Sequence, residues 1–448
     1  MTTHGVERAR STDRAFLAMD TGPVPEQFGV LLRLDGGLDL PEVRRLLADR
    51  ITALPRLRQH LEPTPLGCGG PVWTDDAGFD LAHHVEELPR PADEAALLDA
   101  ALAFVLRPLR RDRPLWRVGL LPPPGNPGSA PGAGLVVVLH HALADGLAGL
   151  AVLAGLVDPE TEPATAPPAP TFPRPRPSRS ALARDAWRRR ARAVRDLPDS
   201  VRLLRRSFAG AGGVLPPRAA DCSLVRSTGP RRAVTVVRTE LDPVRAAAHS
   251  VGASTNDAVL VAVARALGAV LRARGEVVPE LVITVPVAGR SAAEQGELGN
   301  LVSPVIVPVP TTGSATTALQ QVATAVRTQK SSATGPPPIA LLGWAFRPLA
   351  RLGGYRWYMN HQHRLHTLVS HLRGPRDPLT FAGRKIVSAV PLAVAEGGNV
   401  PVYFEVLSYA GTLTVSVVAD PEHFPELDRL AHLLEGELLT ITAVGRPA

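Results

Sequence analysis

The sequence predicts an α/β protein with mixed sheets, organised as two halves. Three observations carry this expectation. Short apolar runs with strand character alternate with segments of helical spacing along the chain. Residues 157–180, dense in Pro, Thr and Ala, break that alternation and read as the start of a linker. A length of 448 residues exceeds one ordinary domain. The expected division is 1–160, a linker and helix at 161–214, and 215–448.

The elements follow in order. Residues 13–20 suggest a short helix or turn. Gln27 to Leu34 alternates as a strand and stops at Asp35-Gly36-Gly37. Leu40 to Leu54 has helical spacing through Val43, Leu46, Leu47 and Ile51, and residues 92–107 form a second amphipathic helix. Trp116 to Leu121 reads as a strand, and 122–133 as a Pro/Gly loop. Leu135 to Leu139 is a continuous apolar run, as a buried strand requires. A helix follows over Gly146 to Leu156.

Beyond the Pro-rich stretch, a basic helix is expected from Ala183 to Phe208, divided at Pro198. The second half repeats the plan. Strands are expected at Val234–Leu241, Leu281–Val287, Val302–Val309, Leu365–Leu372, Leu379–Ala389, Val402–Tyr409 and Thr412–Val418. Helices are expected at Thr255–Ala273, capped by Ser254 or Thr255, at Thr316–Gln329 and within Pro425–Val444.

Composition removes several function classes. Hydrophobic residues at 45% and charged residues at 20% fit a globular chain with a large core. No run of 18 apolar residues suggests a membrane span, and the N-terminus does not read as a secretory signal. Cys68 and Cys222 make neither a disulfide framework nor a zinc site, so a reducing cytoplasm is expected. The net charge of +7 is concentrated: Arg174 to Arg206 holds twelve arginines against Asp185, Asp196 and Asp199. The rest of the chain is slightly acidic, which argues against nucleic acid as a partner.

The chemistry concentrates in Leu135 to Leu150. A buried strand ends at His140-His141, and Asp145-Gly146 turns the chain into a helix. Imidazole titrates near neutrality and suits a general base. Asp145 can hold the local turn or pair with an arginine, and Gly146 tolerates a tight turn. Two alternatives stand beside catalysis: a satisfied structural loop, or a metal site. Strand neighbours point to opposite faces, so His140 and His141 do not readily share one metal. No metal is expected. His83-His84 lacks the following Asp-Gly turn and reads as an ordinary strand.

His140-His141-Ala-Leu-Ala-Asp145-Gly146 resembles the His-His-x-x-x-Asp-Gly signature of the coenzyme A-dependent acyltransferase superfamily. Further stretches resemble the bacterial wax ester synthase/diacylglycerol acyltransferase family. They are Asp13 to Asp20, Pro114-Leu115-Trp116, Ser254 to Leu260 with Asn256-Asp257, Pro286 to Arg290, Gly299 to Ser303, and Leu407 to Leu413. The likeness runs in order along nearly the whole chain. It implies two chloramphenicol-acetyltransferase-like domains with an active-site tunnel between them.

The resemblance implies His141 as base, with His140 beside it, and a structural Asp145; Arg290 is the candidate for its salt-bridge partner, or else a solvated surface residue. Asn256, with Asp257, would shape the site from the facing domain, or only cap its helix. Trp116 would be core or a substrate contact. The donor would be acyl-CoA, with no permanently bound cofactor, and the acceptor a long-chain alcohol or diacylglycerol. Two departures point to other acceptors. Ser370-His371-Leu372-Arg373 stands where the family has Asn-Val-Pro-Gly-Pro, and the loop from Gly210 to Arg232 lacks the usual Asn-Gly. A tailoring acyltransferase for a specialised-metabolite hydroxyl or amine is therefore the second reading. A non-catalytic lipid-binding protein is the third. The arginine-rich helix, with Trp187 and Phe208, suits the surface of an anionic membrane or lipid droplet, or packs on the protein body.

Overall fold

The computed structural model describes residues 6–125, 132–159, 171–195, 202, 219–288, 302–332, 346–393 and 398–444. The chain opens with α1 (Ser11–Met19), β1 (Gln27–Leu34) and α2 (Leu40–Ile51). A small hairpin, β2 (Gln59–Glu62) and β3 (Val72–Asp75), lies outside the main sheets. Then come β4 (Val85–Glu87), α3 (Glu94–Leu106), β5 (Trp116–Leu121), β6 (Gly134–His140) and α4 (Gly146–Leu156). After α5 (Arg179–Arg195), the second half contributes β7 (Ala233–Glu240), α6 (Leu241–Ser250), α7 (Thr255–Ala273), β8 (Glu280–Ala288), β9 (Val302–Pro310) and α8 (Ala315–Ser332). Last come α9 (Gly354–Asn360), β10 (Thr367–Arg373), β11 (Thr380–Phe381), β12 (Arg384–Ala393), β13 (Val402–Tyr409), β14 (Thr412–Ala419) and α10 (Leu427–Thr442).

Two six-stranded sheets result, ordered β11-β12-β1-β6-β5-β4 and β7-β14-β13-β10-β8-β9. Both are mixed. In the first, β4 and β5 run parallel while β1, β6 and β12 pair antiparallel. In the second, β10 runs parallel to both β8 and β13. Prolines 304, 308 and 310 fall on β9, which pairs with β8 alone at the sheet edge, where the missing amide hydrogen leaves no ladder bond unmade.

The halves are laced together. The chain leaves the second sheet after β10, adds β11 and β12 to the first, and returns as β13. β12 pairs with β1 from Phe28 opposite Ala393 to Leu34 opposite Ile386. Residues 380–393 are therefore late in sequence but belong to the first sheet. Around the second sheet, α7 is buried along nearly its whole length and forms the centre of that core.

The expected strand at His83-His84 is instead a short turn. Asp80 accepts the Ala82 amide at 2.8 Å and closes a 3-10 turn over Leu81–His83, so β4 starts only at Val85. Parts of the Pro-rich stretch are held to the body: the Asp75 carboxylate accepts from the backbone amide, Nε and Nη2 of Arg174, and Asp158 accepts the Ala382 and Gly383 amides. On α5, Leu182 and Ala186 are the buried positions, and Arg8 pairs with Asp185 between them. Trp187 and Val194, in the stripe read from the sequence, are exposed. Phe208 and Pro198 lie outside the described residues. Among the described residues, no single helix is long and apolar enough to cross a membrane.

Candidate active site

β6 is buried at every position and delivers two adjacent histidines into different surroundings. The His140 ring is buried. Its Nδ1 accepts the Ala142 amide at 2.9 Å, so the ring hydrogen resides on Nε2, which donates to Asp20 at 3.2 Å. Arg111 donates to the same carboxylate at 2.9 Å, and the Glu26 amide does so at 3.1 Å. Burial works against ionisation of Asp20, but these donors outweigh it and hold the carboxyl at about 2.

His141 is half-buried, and its amide donates to the Glu26 carbonyl at 3.0 Å. Its ring contacts Phe16, with centroids 5.1 Å apart and planes 27° from parallel, and Phe28 at 4.8 Å. Loss of water around the ring, and secondarily the nearby His140, pull its pKa down to about 3. The ring is therefore neutral at any physiological pH.

Asp145 is buried and caps α4, its Oδ1 accepting the Ala148 amide at 2.9 Å. Gly146 has a different role from the expected turn. Its φ lies outside the left-handed region, but a Cβ there would stand 2.9 Å from the Leu372 side chain. Glycine lets the end of the Leu372 side chain, on β10, lie directly against the start of α4. Gly149, one helical turn on, likewise leaves room for the Phe28 ring, 2.7 Å from where its Cβ would be.

A cavity of about 430 Å³ opens between the two sheets. His141, Phe16 and Phe28 line it from the first half, and Ser370, Leu372 and Glu405 from the second. Most of the remaining lining is apolar. The volume lies in the range of small-ligand sites. Glu26, Asp145 and Glu405 are the carboxyls in the lining; burial raises the pKa of Glu405 to about 8, despite a hydrogen bond with Ser370.

Of the residues singled out from sequence, His141, Asp145, Gly146 and Ser370 line the cavity, and His140 stands directly behind it. Trp116 does not line it. Its indole donates to the Leu57 carbonyl at 2.7 Å, and its ring stacks on His84 at 4.6 Å, deep in the first core. Asn256 and Asp257 do not line it either; Asp257 closes a capping box with Ser254 at the start of α7. Arg290 lies outside the described residues, as do 299–301. His371, next to Ser370 on β10, does not line the cavity. Burial, with Arg373 close by, lowers its pKa to about 4.

Sequence reasoning did not single out Phe16, Asp20, Phe28 or Glu405. The first two fall within Asp13 to Asp20, a motif noted without roles. Glu405 carried a usable signal, a single acid inside the apolar run Val402 to Tyr409.

The wax ester synthase/diacylglycerol acyltransferase catalytic domain matches residues 10–259, and the C-terminal domain of the same family matches 298–442. A probable diacylglycerol O-acyltransferase of Mycobacterium tuberculosis is 27% identical over 98% of this chain and 93% of its own length. A second putative diacylglycerol O-acyltransferase of that organism is 31% identical over 66% of each chain. Among solved structures, the wax ester synthase/diacylglycerol acyltransferase of Marinobacter aquaeolei VT8 superposes with a TM-score of 0.62 at 20% identity, covering 96% of this chain and 97% of that one. A starter condensation domain of rhizomide synthetase, in complex with C8-CoA and Leu-SNAC, gives 0.62 at 16% identity over 98% and 94%. At these identities the solved structures establish the fold.

Proposed function

The chain belongs to the wax ester synthase/diacylglycerol acyltransferase family and is an acyltransferase; from that premise we propose that it moves a fatty acyl group from coenzyme A to the hydroxyl of a long-chain alcohol or diacylglycerol, with His141 as general base. One observation carries the reading: a neutral imidazole stands on the wall of an apolar cavity between two sheets. The His141 ring takes the hydroxyl proton as the acceptor oxygen attacks the thioester carbonyl carbon. The carbon–sulfur bond then breaks, and the thiolate recovers the proton from the imidazolium, giving ester and free coenzyme A. The depressed pKa keeps the base free. The negative charge that develops on the carbonyl oxygen offsets the positive charge that forms on the imidazolium.

Asp145 and His140 act as positioning residues in this scheme. Asp145 fixes the start of α4, and the Asp20–His140 bond fixes the end of β6. No acyl-enzyme is needed, so transfer is direct. The arginines around exposed Trp187 and Val194 suit contact with an anionic lipid surface, where such substrates reside.

The test is thiol release from palmitoyl-CoA with a panel of alcohols and diacylglycerol. Wild-type protein should release thiol only with an acceptor present. His141→Ala should reduce kcat by about 10²–10⁴-fold with unchanged circular dichroism. Full activity of that variant would remove the mechanism. No release with any acceptor would leave a lipid-binding role.

A further inference from the structure

Three polar side chains interrupt the wall that the second sheet presents to the cavity. Thr284 is on β8, Ser370 on β10 and Glu405 on β13, three adjacent strands. Leu368 is paired with Thr284, and Ser370 with Glu405. Residues two apart on a strand share a face, so Leu368 and Ser370 bring Thr284 and Glu405 onto one surface. Leu372 and Leu407 continue that surface as hydrocarbon.

Thr284 is only 5% exposed, and its hydroxyl has no hydrogen-bond partner among the described residues. Glu405 is 7% exposed and bonds to Ser370. Buried polar groups normally find partners, and a carboxyl inside an apolar wall costs stability. With its pKa raised to about 8, Glu405 is largely un-ionised near neutrality and can both donate and accept.

We propose that Glu405, Ser370 and Thr284 recognise a second, uncharged hydrogen-bonding group of the acceptor, a hydroxyl, carbonyl or ester separate from the hydroxyl that is acylated. The inference rests on the acyl-transfer reading above and narrows its acceptor. The fatty acyl chain of the donor is served by the apolar wall, and the phosphates of coenzyme A require cations, which this patch does not contain. A plain fatty alcohol fills the cavity but leaves the patch unsatisfied. An acceptor with a second polar group satisfies it.

The experiment uses the full chain, palmitoyl-CoA, hexadecan-1-ol, and hexadecanediols whose second hydroxyl is moved stepwise along the chain. At least one diol should exceed the plain alcohol by about tenfold or more in kcat/KM. Glu405→Leu should bring that ratio close to one, and Glu405→Gln, which keeps a donor and an acceptor, should retain it. Thr284→Val should lower the ratio in the same direction and serves if Glu405→Leu does not fold. The proposal is overturned if the wild type treats every diol like the plain alcohol, or if Glu405→Leu leaves the ratio intact. It is also overturned if Glu405→Leu raises only the KM for palmitoyl-CoA, which would assign the patch to the donor. Failure of transfer to any acceptor would remove the acyl-transfer reading itself and this inference with it. Transfer without discrimination removes this inference alone.

Discussion

Phe16 lies stacked against the His141 ring, with centroids 5.1 Å apart. The contact excludes water from one region of the imidazole and contributes to the desolvation that keeps it neutral. Phe16→Ala should readmit water and raise the pKa toward the ordinary value of 6.5. In the wild type, kcat/KM should show no fall attributable to His141 between about pH 7 and pH 5. In Phe16→Ala an acid limb should appear within that window. Identical pH–rate profiles for the two proteins would show that Phe16 does not set the state of the base.

His141 also contributes to stability with a definite sign. Its folded pKa, about 3, is below the unfolded 6.5. The unfolded chain therefore binds the extra proton first. Stability from this group is complete above about pH 6.5 and is lost as pH falls toward 3. His141→Phe should flatten that part of the curve of Tm against pH.

Glu405 has the opposite sign. Its folded pKa of about 8 is above the ordinary 4.5, so the folded state holds the proton more tightly. The stability gained by this group is present below pH 4.5 and declines as pH rises toward 8. Glu405→Gln should match the wild type near pH 4.5 and exceed it at pH 8 by a few kcal/mol, roughly. Urea denaturation at both pH values measures the difference. An equal difference at both would show that the carboxyl is solvated.

Gly146 and Leu372 join the two halves at the cavity. Gly146→Ala places a methyl 2.9 Å from Leu372 and should cost about 1–3 kcal/mol. Leu372→Ala in the same chain should recover part of that loss, since it removes the opposing atoms. A double-mutant cycle in thermal unfolding gives the coupling. Additive effects would mean that the two residues do not constrain each other.

Trp116 distinguishes core from substrate contact. Trp116→Phe removes the bond to the Leu57 carbonyl and leaves a buried acceptor unpaired, at a cost of about 1–3 kcal/mol. The KM for acceptor and donor should stay as in the wild type, because the side chain is outside the cavity. A raised KM with unchanged Tm would reverse that assignment.

Much of the fold was legible because burial imposes period on sequence. β6 appears as an uninterrupted apolar run since both its faces are covered, and α7 as a capped helix since Ser254 and Asp257 close its first turn. The strand expected at Leu379–Ala389 is instead two, β11 and β12, paired across a turn at Ala382-Gly383 where both residues take positive φ, and neither that turn nor the sheet the strands join was legible. Apolar alternation states that a strand is half-covered; it does not name the neighbour. The His83-His84 stretch was misread because its turn depends on one local bond from Asp80, and its anchoring on a ring stack with Trp116, distant in sequence.

The sequence alone determined the two histidines that end a buried strand, the Asp145 that starts the next helix, the mixed α/β character and the family. These are set by local order: which residue types follow one another and at what spacing. Tertiary structure decided the rest. It separated His140, bound to Asp20, from His141, exposed to the cavity; it gave Gly146 its reason in the side chain of Leu372; and it brought Glu405, Ser370 and Thr284 onto one wall. Each of these depends on distances between atoms far apart along the chain, and the desolvation that sets both His141 and Glu405 exists only when the two sheets close over them.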